Sequence, residues 1–160
     1  MHVGGTGHVN LLHCQCNDSR DQGFCLYGGY ATAKHSCISN NRANVFVGKF
    51  GQMRLQHCEC NASKCDAGLA VISRGSATAH ASHLCDNQRN NIECGGKGHA
   101  ELRDCWCNDC KGGAGLAVYD AGSVASAFAC SLSCNACNVY VQGQGLASLQ
   151  SCQCNRSKCG

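Results

Sequence analysis

Two pairs of cysteines in this sequence have the spacing of a zinc site. Cys107-x2-Cys110 and Cys134-x2-Cys137 are separated by 23 residues, and paired thiolates at such spacings bind zinc in many structural sites. A disulfide among the turn cysteines, or free thiols, would fit the same spacing. We expect no metal and no cofactor, and we keep Cys110, Cys134 and Cys137 as the candidate ligands.

Three histidines form a second pattern that could bind a metal. His13, His57 and His83 are predicted to lie in one column just before a cysteine layer, and Cys85 lies near the last of them. Imidazole and thiolate groups together suit a transition metal. The alternative, which we favour, is that these histidines are bend residues that face solvent.

The carboxylates are dispersed, so no catalytic residue is predicted. The chain has ten Asp and Glu residues, and the nearest grouping is Glu101, Asp104 and Asp109 beside Arg103. Glu101 and Arg103 are two positions apart on a predicted strand, and they should therefore share its outward face. We predict a surface ion pair between these two side chains.

A repeat of 47 residues must position all of these side chains. The segments 60–71 and 107–118 are identical at eight of twelve positions, and the same offset carries Cys107-Asn108 onto Cys154-Asn155. Each repeat divides into two coils of 21–26 residues. Regular coils of this length indicate a solenoid, because one coil can bury its inner face only against the next.

Aligning the coils predicts columns of equivalent residues. The alignment layer is Cys14, Cys37, Cys58, Leu84, Cys105, Ser131 and Cys152. Two residues further on lies the column Cys16, Ser39, Cys60, Asp86, Cys107, Ser133 and Cys154. The next position is predicted to be an asparagine ladder of Asn17, Asn40, Asn61, Asn87, Asn108, Cys134 and Asn155.

A further column contains only glycine and asparagine, for which we predict positive φ because these residues tolerate it best. Its members are Gly23, Asn44, Gly68, Asn91, Gly115 and Asn138. The strand after it carries the inward residues Phe24, Val45, Leu69, Ile92, Leu116 and Val139. Another strand is predicted to point Leu55, Leu102, Phe128 and Leu149 inward.

These columns predict an all-β protein, a right-handed parallel β-helix of about seven coils that forms a single domain over residues 1–160. Cysteine would serve as a small hydrophobic residue in its narrow core. Equivalent cysteines in every second coil would be ~9.6 Å apart, which is too far for a disulfide. We therefore expect eight cysteines to be reduced packing residues: Cys14, Cys16, Cys58, Cys60, Cys105, Cys107, Cys152 and Cys154.

The pattern apolar-x-x-Cys-x-(Cys/Ser)-Asn, followed by (Gly/Asn)-apolar-x-apolar, resembles the right-handed β-helix proteins of the pectate-lyase-like superfamily over nearly the whole chain. That resemblance implies either a polysaccharide lyase, hydrolase or epimerase, or a non-enzymatic binding or surface protein. The catalytic members use clustered acidic residues with calcium beside a basic residue, or paired aspartates. Neither arrangement can be placed on this sequence.

Composition excludes some classes of partner. The formal charge of +3 is small, and Lys and Arg are scattered along the chain, so nucleic acid is not an expected partner. No apolar run is long enough for a membrane span, and the opening residues lack the features of a signal peptide. The compartment is therefore left open. No capping helix is apparent, so we expect a segment of a longer solenoid, or else ends that are covered by partners or by end-to-end association. We favour the first.

Three functional hypotheses follow. The first is a non-catalytic module that presents an extended surface to a polysaccharide or protein partner. The second is part of a carbohydrate-active enzyme, lyase- or epimerase-like, which a groove of carboxylates and bases along one sheet would favour. The third is a metal- or redox-responsive thiol protein. The candidate binding residues are Arg54, Glu59, Glu101, Arg103 and Trp106.

Overall fold

The computed structural model describes residues 1–158, and within them it contains strands and turns but no helix. The strands form two parallel sheets of seven, which alternate along the chain. Sheet 1 consists of β1 (His2–Gly4), β3 (Gln22–Tyr27), β5 (Ala43–Gly48), β7 (Leu69–Val71), β9 (Ile92–Cys94), β11 (Ala114–Val118) and β13 (Cys137–Val141). Sheet 2 consists of β2 (His8–Leu12), β4 (Tyr30–Lys34), β6 (Gln52–Gln56), β8 (Ser76–His80), β10 (His99–Arg103), β12 (Val124–Phe128) and β14 (Leu146–Gln150).

A third face completes each coil. It is a ladder of single-residue parallel bridges, which we call the third ladder because it lies beside the two sheets. It joins Gln15, Cys37, Glu59, His83, Trp106, Ser131 and Gln153. Successive members are 22–25 residues apart and average 23. The predicted parallel β-solenoid is thus confirmed, with about six full turns between its first and last layers.

The corners of the coil depend on left-handed backbone. One residue between sheet 2 and the third ladder has φ near +50° in every coil: His13, His35, His57, Ala81, Asp104, Ala129 and Ser151. A second corner follows the ladder, at Asp18, Asn40, Ala62, Asp86, Asp109, Cys134 and Arg156. Residues other than glycine rarely adopt this conformation, so the stacking of neighbouring coils must maintain it.

The predicted glycine and asparagine column is correctly aligned, but its predicted positive φ is wrong. Residues Gly23, Gly68 and Gly115 are absent from the left-handed corners. Each instead lies against an asparagine side chain of the next coil. A Cβ on Gly68 would lie 2.5 Å from Asn87 Nδ2. Glycine is required here because the neighbouring amide occupies the space of its side chain.

The two coils of each repeat differ in how they fill the core. In one coil type the core contains a leucine from sheet 2 and a cysteine directly after the third-ladder residue, as with Leu55 and Cys60. In the other type the same two core positions contain an alanine and a larger residue, as with Ala79 and Leu84. Because large and small residues exchange places between the two positions, successive coils keep a similar core volume. This exchange accounts for a repeat that spans two coils.

The structure corrects the predicted columns in alternate coils. The inward column that begins at Cys14 continues as Ser36, Cys58, Ser82, Cys105, Cys130 and Cys152. The predicted members Cys37, Leu84 and Ser131 are displaced from it by one or two residues, and the predicted Asn40, Asn87 and Cys134 are displaced in the same way. Phe128, which was expected to point inward, is 40% exposed, because a shift of one residue reverses the face of a strand.

Asparagine stacking between coils is confirmed, and the predicted members Asn17, Asn61 and Asn108 each accept a backbone N–H of the next coil. A buried chain of asparagine side chains, of which only Asn87 was among the predicted members, lies beside them. In it the Nδ2 of each amide donates a hydrogen bond to the Oδ1 of the next, at 2.9–3.3 Å. Its members are Asn41, Asn44, Asn87, Asn91, Asn135 and Asn138. All six are buried. The amide chain therefore runs along the inside of the solenoid across several coils.

Candidate functional site

The outer face of sheet 2 brings together three of the predicted binding residues. Parallel register places Arg54, Thr78 and Glu101 in one outward column on consecutive strands. Arg103 lies in the adjacent column beside His80. These side chains line a groove of about 340 Å³. The other two predicted residues, Glu59 and Trp106, lie elsewhere.

A second depression of about 380 Å³ continues this groove toward β2. It is lined by Thr32 and Lys34, and it shares Arg54 and Gln56 with the first depression. The two together follow sheet 2 from β2 to β10, which is four strand spacings or ~19 Å. We call this continuous feature the sheet 2 groove. Its charged side chains are Lys34, Arg54, Arg103, Glu101 and, when protonated, His80.

The predicted ion pair between Glu101 and Arg103 is wrong. The four ion pairs within residues 1–158 do not include it. The Arg103 guanidinium instead lies over the ring of Phe128, 5.5 Å from the ring centroid. Side chains two apart on a strand are farther from each other than from their neighbours across the sheet, so the aromatic ring of β12 is the closer partner.

The third ladder carries Glu59 and Trp106, with His83 between them. The His83 ring is stacked on the Trp106 ring, with 4.6 Å between centroids. Trp106 remains 43% exposed. Glu59 and Trp106 are thus on a different face from Arg54, Glu101 and Arg103, and the predicted set does not form one site.

The predicted histidine column is wrong at His83 and missed His35. His13, His35 and His57 are stacked at the first corner, with ring centroids 5.3 and 5.0 Å apart. His83 lies on the third ladder instead, and the Cys85 thiol donates to the Trp106 carbonyl at 3.2 Å. Within residues 1–158 no three His, Cys, Asp or Glu side chains are arranged to hold a metal ion.

The turn cysteines occupy three different environments. Cys110 is buried, and its thiol donates to the Arg89 carbonyl. Cys134 is a left-handed corner residue. The Cys137 thiol donates to the Val139 carbonyl at 3.0 Å. Among residues 1–158 the structure contains no disulfide, while Cys159 lies outside the described residues.

Most of the eight predicted packing cysteines point inward as expected. Cys58, Cys60, Cys105 and Cys107 are at most 1% exposed. The cysteines of the outer coils are less covered: Cys14, Cys16 and Cys152 are half-buried, and Cys154 is exposed. Burial raises the pKa of Cys60 and Cys107 well above the usual thiol value. Both behave as hydrophobic residues at neutral pH.

Sequence reasoning missed Cys130, a buried thiol that lies in the same inward column as Cys105. Cys130 accepts a hydrogen bond from the Cys105 N–H at 3.4 Å. The neighbouring Cys105 thiol lowers the pKa of Cys130, although burial acts in the opposite direction. The interaction with Cys130, together with burial, raises the pKa of Cys105. Ala127-x-x-Cys130 repeats the step Leu102-x-x-Cys105, and this signal could have identified the position.

These features define the class of protein as a cysteine-rich parallel β-solenoid with an internal asparagine chain. Comparisons with family models, curated proteins and solved structures found no match to the chain. No helix within residues 1–158 is long and apolar enough to cross a membrane.

Proposed function

We propose that this protein is a non-catalytic binding module whose sheet 2 groove binds an anionic polysaccharide. The observation that carries the proposal is the continuity of that groove, since two depressions meet at Arg54 and Gln56. A groove that follows strands spaced ~4.8 Å apart offers equivalent positions to successive units of an extended polymer. A polymer of repeating sugars suits such a surface better than a compact ligand.

The side chains of the groove favour an acidic sugar. Lys34, Arg54 and Arg103 are the basic side chains of the groove, and Glu101 is the one carboxylate lining either depression. Arginine forms paired hydrogen bonds with carboxylates. Thr32, Thr78 and Gln56 add neutral groups that can bond with sugar hydroxyls. A uronate-containing chain is therefore the proposed ligand.

The parallel sheets and the repeated columns support, as part of this proposal, a distant likeness to the pectate-lyase-like superfamily. Enzymes and binding proteins share that architecture, and fold alone does not distinguish them. The groove contains a single carboxylate, whereas the catalytic members cluster their acidic residues. This composition supports the binding module over the enzyme.

Affinity electrophoresis in gels that contain polygalacturonate tests the proposal. The protein should migrate more slowly than in gels that contain neutral laminarin, and added salt should weaken the retardation. Arg54→Ala and Arg103→Ala should each weaken binding roughly three- to ten-fold, the effect of a lost charge contact. Arg42→Ala, which removes an exposed arginine just before β5, is the matched control and should leave binding unchanged.

Two results would contradict this function. Equal retardation of wild type and both groove variants would place binding outside the sheet 2 groove. Release of shorter uronate chains during incubation would show catalysis and would favour the enzyme hypothesis. Absorbance of unsaturated products and a reducing-end assay measure that release directly.

A further inference from the structure

The third ladder contains a stacked pair of rings that ends at an exposed indole. His83 and Trp106 are consecutive members of the ladder, and their ring planes are 14° apart with 4.6 Å between centroids. This separation is close to one strand spacing of ~4.8 Å, so the two side chains project in register from their coils. His83 covers one face of the indole, yet Trp106 remains exposed. The second face of the indole is therefore directed at the next member of the ladder.

The next coil has only small side chains at this point. Ser131 follows Trp106 in the ladder, and Ala129 follows Asp104 at the adjacent left-handed corner. Among the seven described coils, this is the one with a small side chain at both positions. The Ser131 hydroxyl donates to Asn108 Oδ1 at 2.9 Å, so it does not take the place of a third ring. The stack is therefore interrupted beside the indole.

A groove of about 410 Å³ occupies this gap. Its lining residues fall within three corner segments on consecutive coils, which are 104–106, 129–131 and 151–153. The groove therefore lies on the indole face opposite His83. Trp106 bounds it on one side, and the exposed Gln153 bounds it on the other. We call this feature the Trp106 slot, because it separates the indole from the next large side chain of the ladder.

The width of the Trp106 slot suits a puckered ring. Trp106 and Gln153 are two strand spacings apart, which is ~9.6 Å. A flat aromatic ring in van der Waals contact with both layers requires only ~7 Å, and it would leave part of the slot unfilled. A pyranose ring carries hydrogens or hydroxyls on both faces and is thicker, and its C–H groups are attracted to the electron-rich face of an indole. The slot therefore fits a sugar ring that stacks on Trp106.

The polar groups around the slot favour a neutral sugar. Asp104 is the one charged side chain among the lining residues, and a carboxylate accepts hydrogen bonds from sugar hydroxyls. Ser151 and Gln153 are exposed and supply further donors and acceptors. An acidic sugar would place its own negative charge near Asp104, and like charges repel. His80 is paired with Asp104 at 3.3 Å and offsets this repulsion when it is protonated, so the preference is strongest when the imidazole is neutral.

We propose that the Trp106 slot is a second binding site, which holds one neutral pyranose unit stacked on the indole. The slot lies on the third ladder, whereas the sheet 2 groove lies on another face and carries mainly basic side chains. The two sites therefore select sugars of different charge. Binding at the slot does not require the sheet 2 groove to bind uronates, and each site can be tested while the other is intact.

Intrinsic fluorescence tests this site directly, because Trp106 is the only tryptophan of the chain. Cellobiose is the neutral probe and digalacturonate the acidic one, and both are titrated at about pH 8, where imidazole is neutral. Cellobiose should shift the emission to shorter wavelengths in a saturable way, because the sugar displaces water from the exposed indole face. Digalacturonate should bind about ten-fold more weakly or less, because of the repulsion by Asp104.

Substitutions at Ser131 separate occupation of the slot from folding. Ser131→His places a ring beside the indole, and Ser131→Gln places the side chain found at Gln153. The ladder already carries both residue types, so both variants should fold, with urea midpoints close to the wild-type value. Each should weaken cellobiose binding about ten-fold or more, because the added side chain fills the slot. Ser131→Ala is the matched control, keeps the slot open and should bind within about two-fold of the wild type.

Asp104→Asn tests the preference for a neutral sugar. Asparagine tolerates the left-handed backbone of this corner, so the variant should fold and should still bind cellobiose. Its affinity for digalacturonate should rise by about three-fold or more, because the repelling charge is gone. The proposal is overturned if the wild type does not respond to cellobiose, if Ser131→His and Ser131→Gln bind it as the wild type does, or if Asp104→Asn keeps the original preference. Retardation in polygalacturonate gels measures the sheet 2 groove separately and should be unchanged in the Ser131 variants.

Discussion

At the scale of single residues, two glycines that flank strands of sheet 1 differ in the room that their neighbours leave for a side chain. Gly68 and Gly95 are both buried, and neither has positive φ. A Cβ on Gly68 would lie 2.5 Å from Asn87 Nδ2 and 2.8 Å from the Cys60 carbonyl oxygen. On Gly95 the nearest atom would be 3.8 Å away. One position has no room for a methyl group, and the other does.

This difference gives a matched pair of substitutions. Gly68→Ala should lower the free energy of unfolding by about 1–3 kcal/mol, as overpacking does in other cores. Gly95→Ala should be neutral or raise it by up to about 1 kcal/mol, because alanine restricts the unfolded chain. Urea denaturation measures both. Equal effects of the two substitutions would contradict the role assigned to the asparagine side chain.

At the scale of elements, the amide chain connects coils that are distant in sequence. Asn87 Oδ1 accepts the Ser63 N–H at 3.0 Å and the Asn44 side chain at 3.2 Å. Its Nδ2 donates to Asn91 at 2.9 Å. One side chain thus satisfies buried polar groups on three coils, and a buried group that loses its partner costs free energy.

Asn87→Ala should therefore lower the free energy of unfolding by roughly 2–4 kcal/mol. Its exposed neighbour provides the control, since Gln88→Ala should change it by less than about 0.5 kcal/mol. Combined with Gly68→Ala, the Asn87 substitution should cost less than the sum of the two, because the methyl group gains the space of the lost amide. Strict additivity in this double-mutant cycle would show that the two positions do not interact.

The predictions made from the sequence were more accurate for one coil type than for the other. Residues 60–71 and 107–118 belong to the same coil type, so their identity gave the correct period and the correct inward residues of sheet 1. The other coil type lacks the Cys-x-Cys marker, and there the alignment slipped by one or two residues. That slip misplaced Phe128 and His83 and concealed Cys130.

The candidate site was predicted less well than the fold, for a geometric reason. Arg54 and Glu101 are 47 residues apart, so the repeat is consistent with the column that they share in the structure. Glu59 and Trp106 have the same spacing, but a single left-handed corner residue directs them to another face. The position of a corner depends on φ, and residue type did not reveal φ at His57 or Asp104.

At the scale of the whole molecule, the cysteine-rich core makes stability sensitive to alkaline pH. Burial raises the pKa of several thiols above their ordinary value of 9.0, to about 11 for Cys94. The folded state therefore keeps protons that the unfolded chain loses. The stabilisation is complete below pH 9 and declines as the pH rises toward the pKa of the folded state.

We expect the urea midpoint of the reduced protein to fall between pH 8 and pH 10. Cys94→Val provides the test, because valine is the residue at the equivalent positions Val47, Val71 and Val118. This variant should lose roughly 1 kcal/mol less than the wild type over that interval, since it lacks one titrating thiol. The same loss in both proteins would contradict this origin of the pH dependence.

The internal amide chain also gives the solenoid a row of aligned side-chain dipoles. From Asn41 to Asn135 each Nδ2 donates one hydrogen bond to the Oδ1 of the next amide of the chain, so the amide dipoles follow one another head to tail. The second N–H groups of Asn41 and Asn135 donate back to the Cys16 and Cys107 carbonyls. Reversing one amide would set oxygen against oxygen on one side and nitrogen against nitrogen on the other. At Asn87 it would also direct an N–H group at the N–H of Ser63. The dipoles are therefore locked as a single aligned row, with its negative pole toward the first coils and its positive pole toward the last.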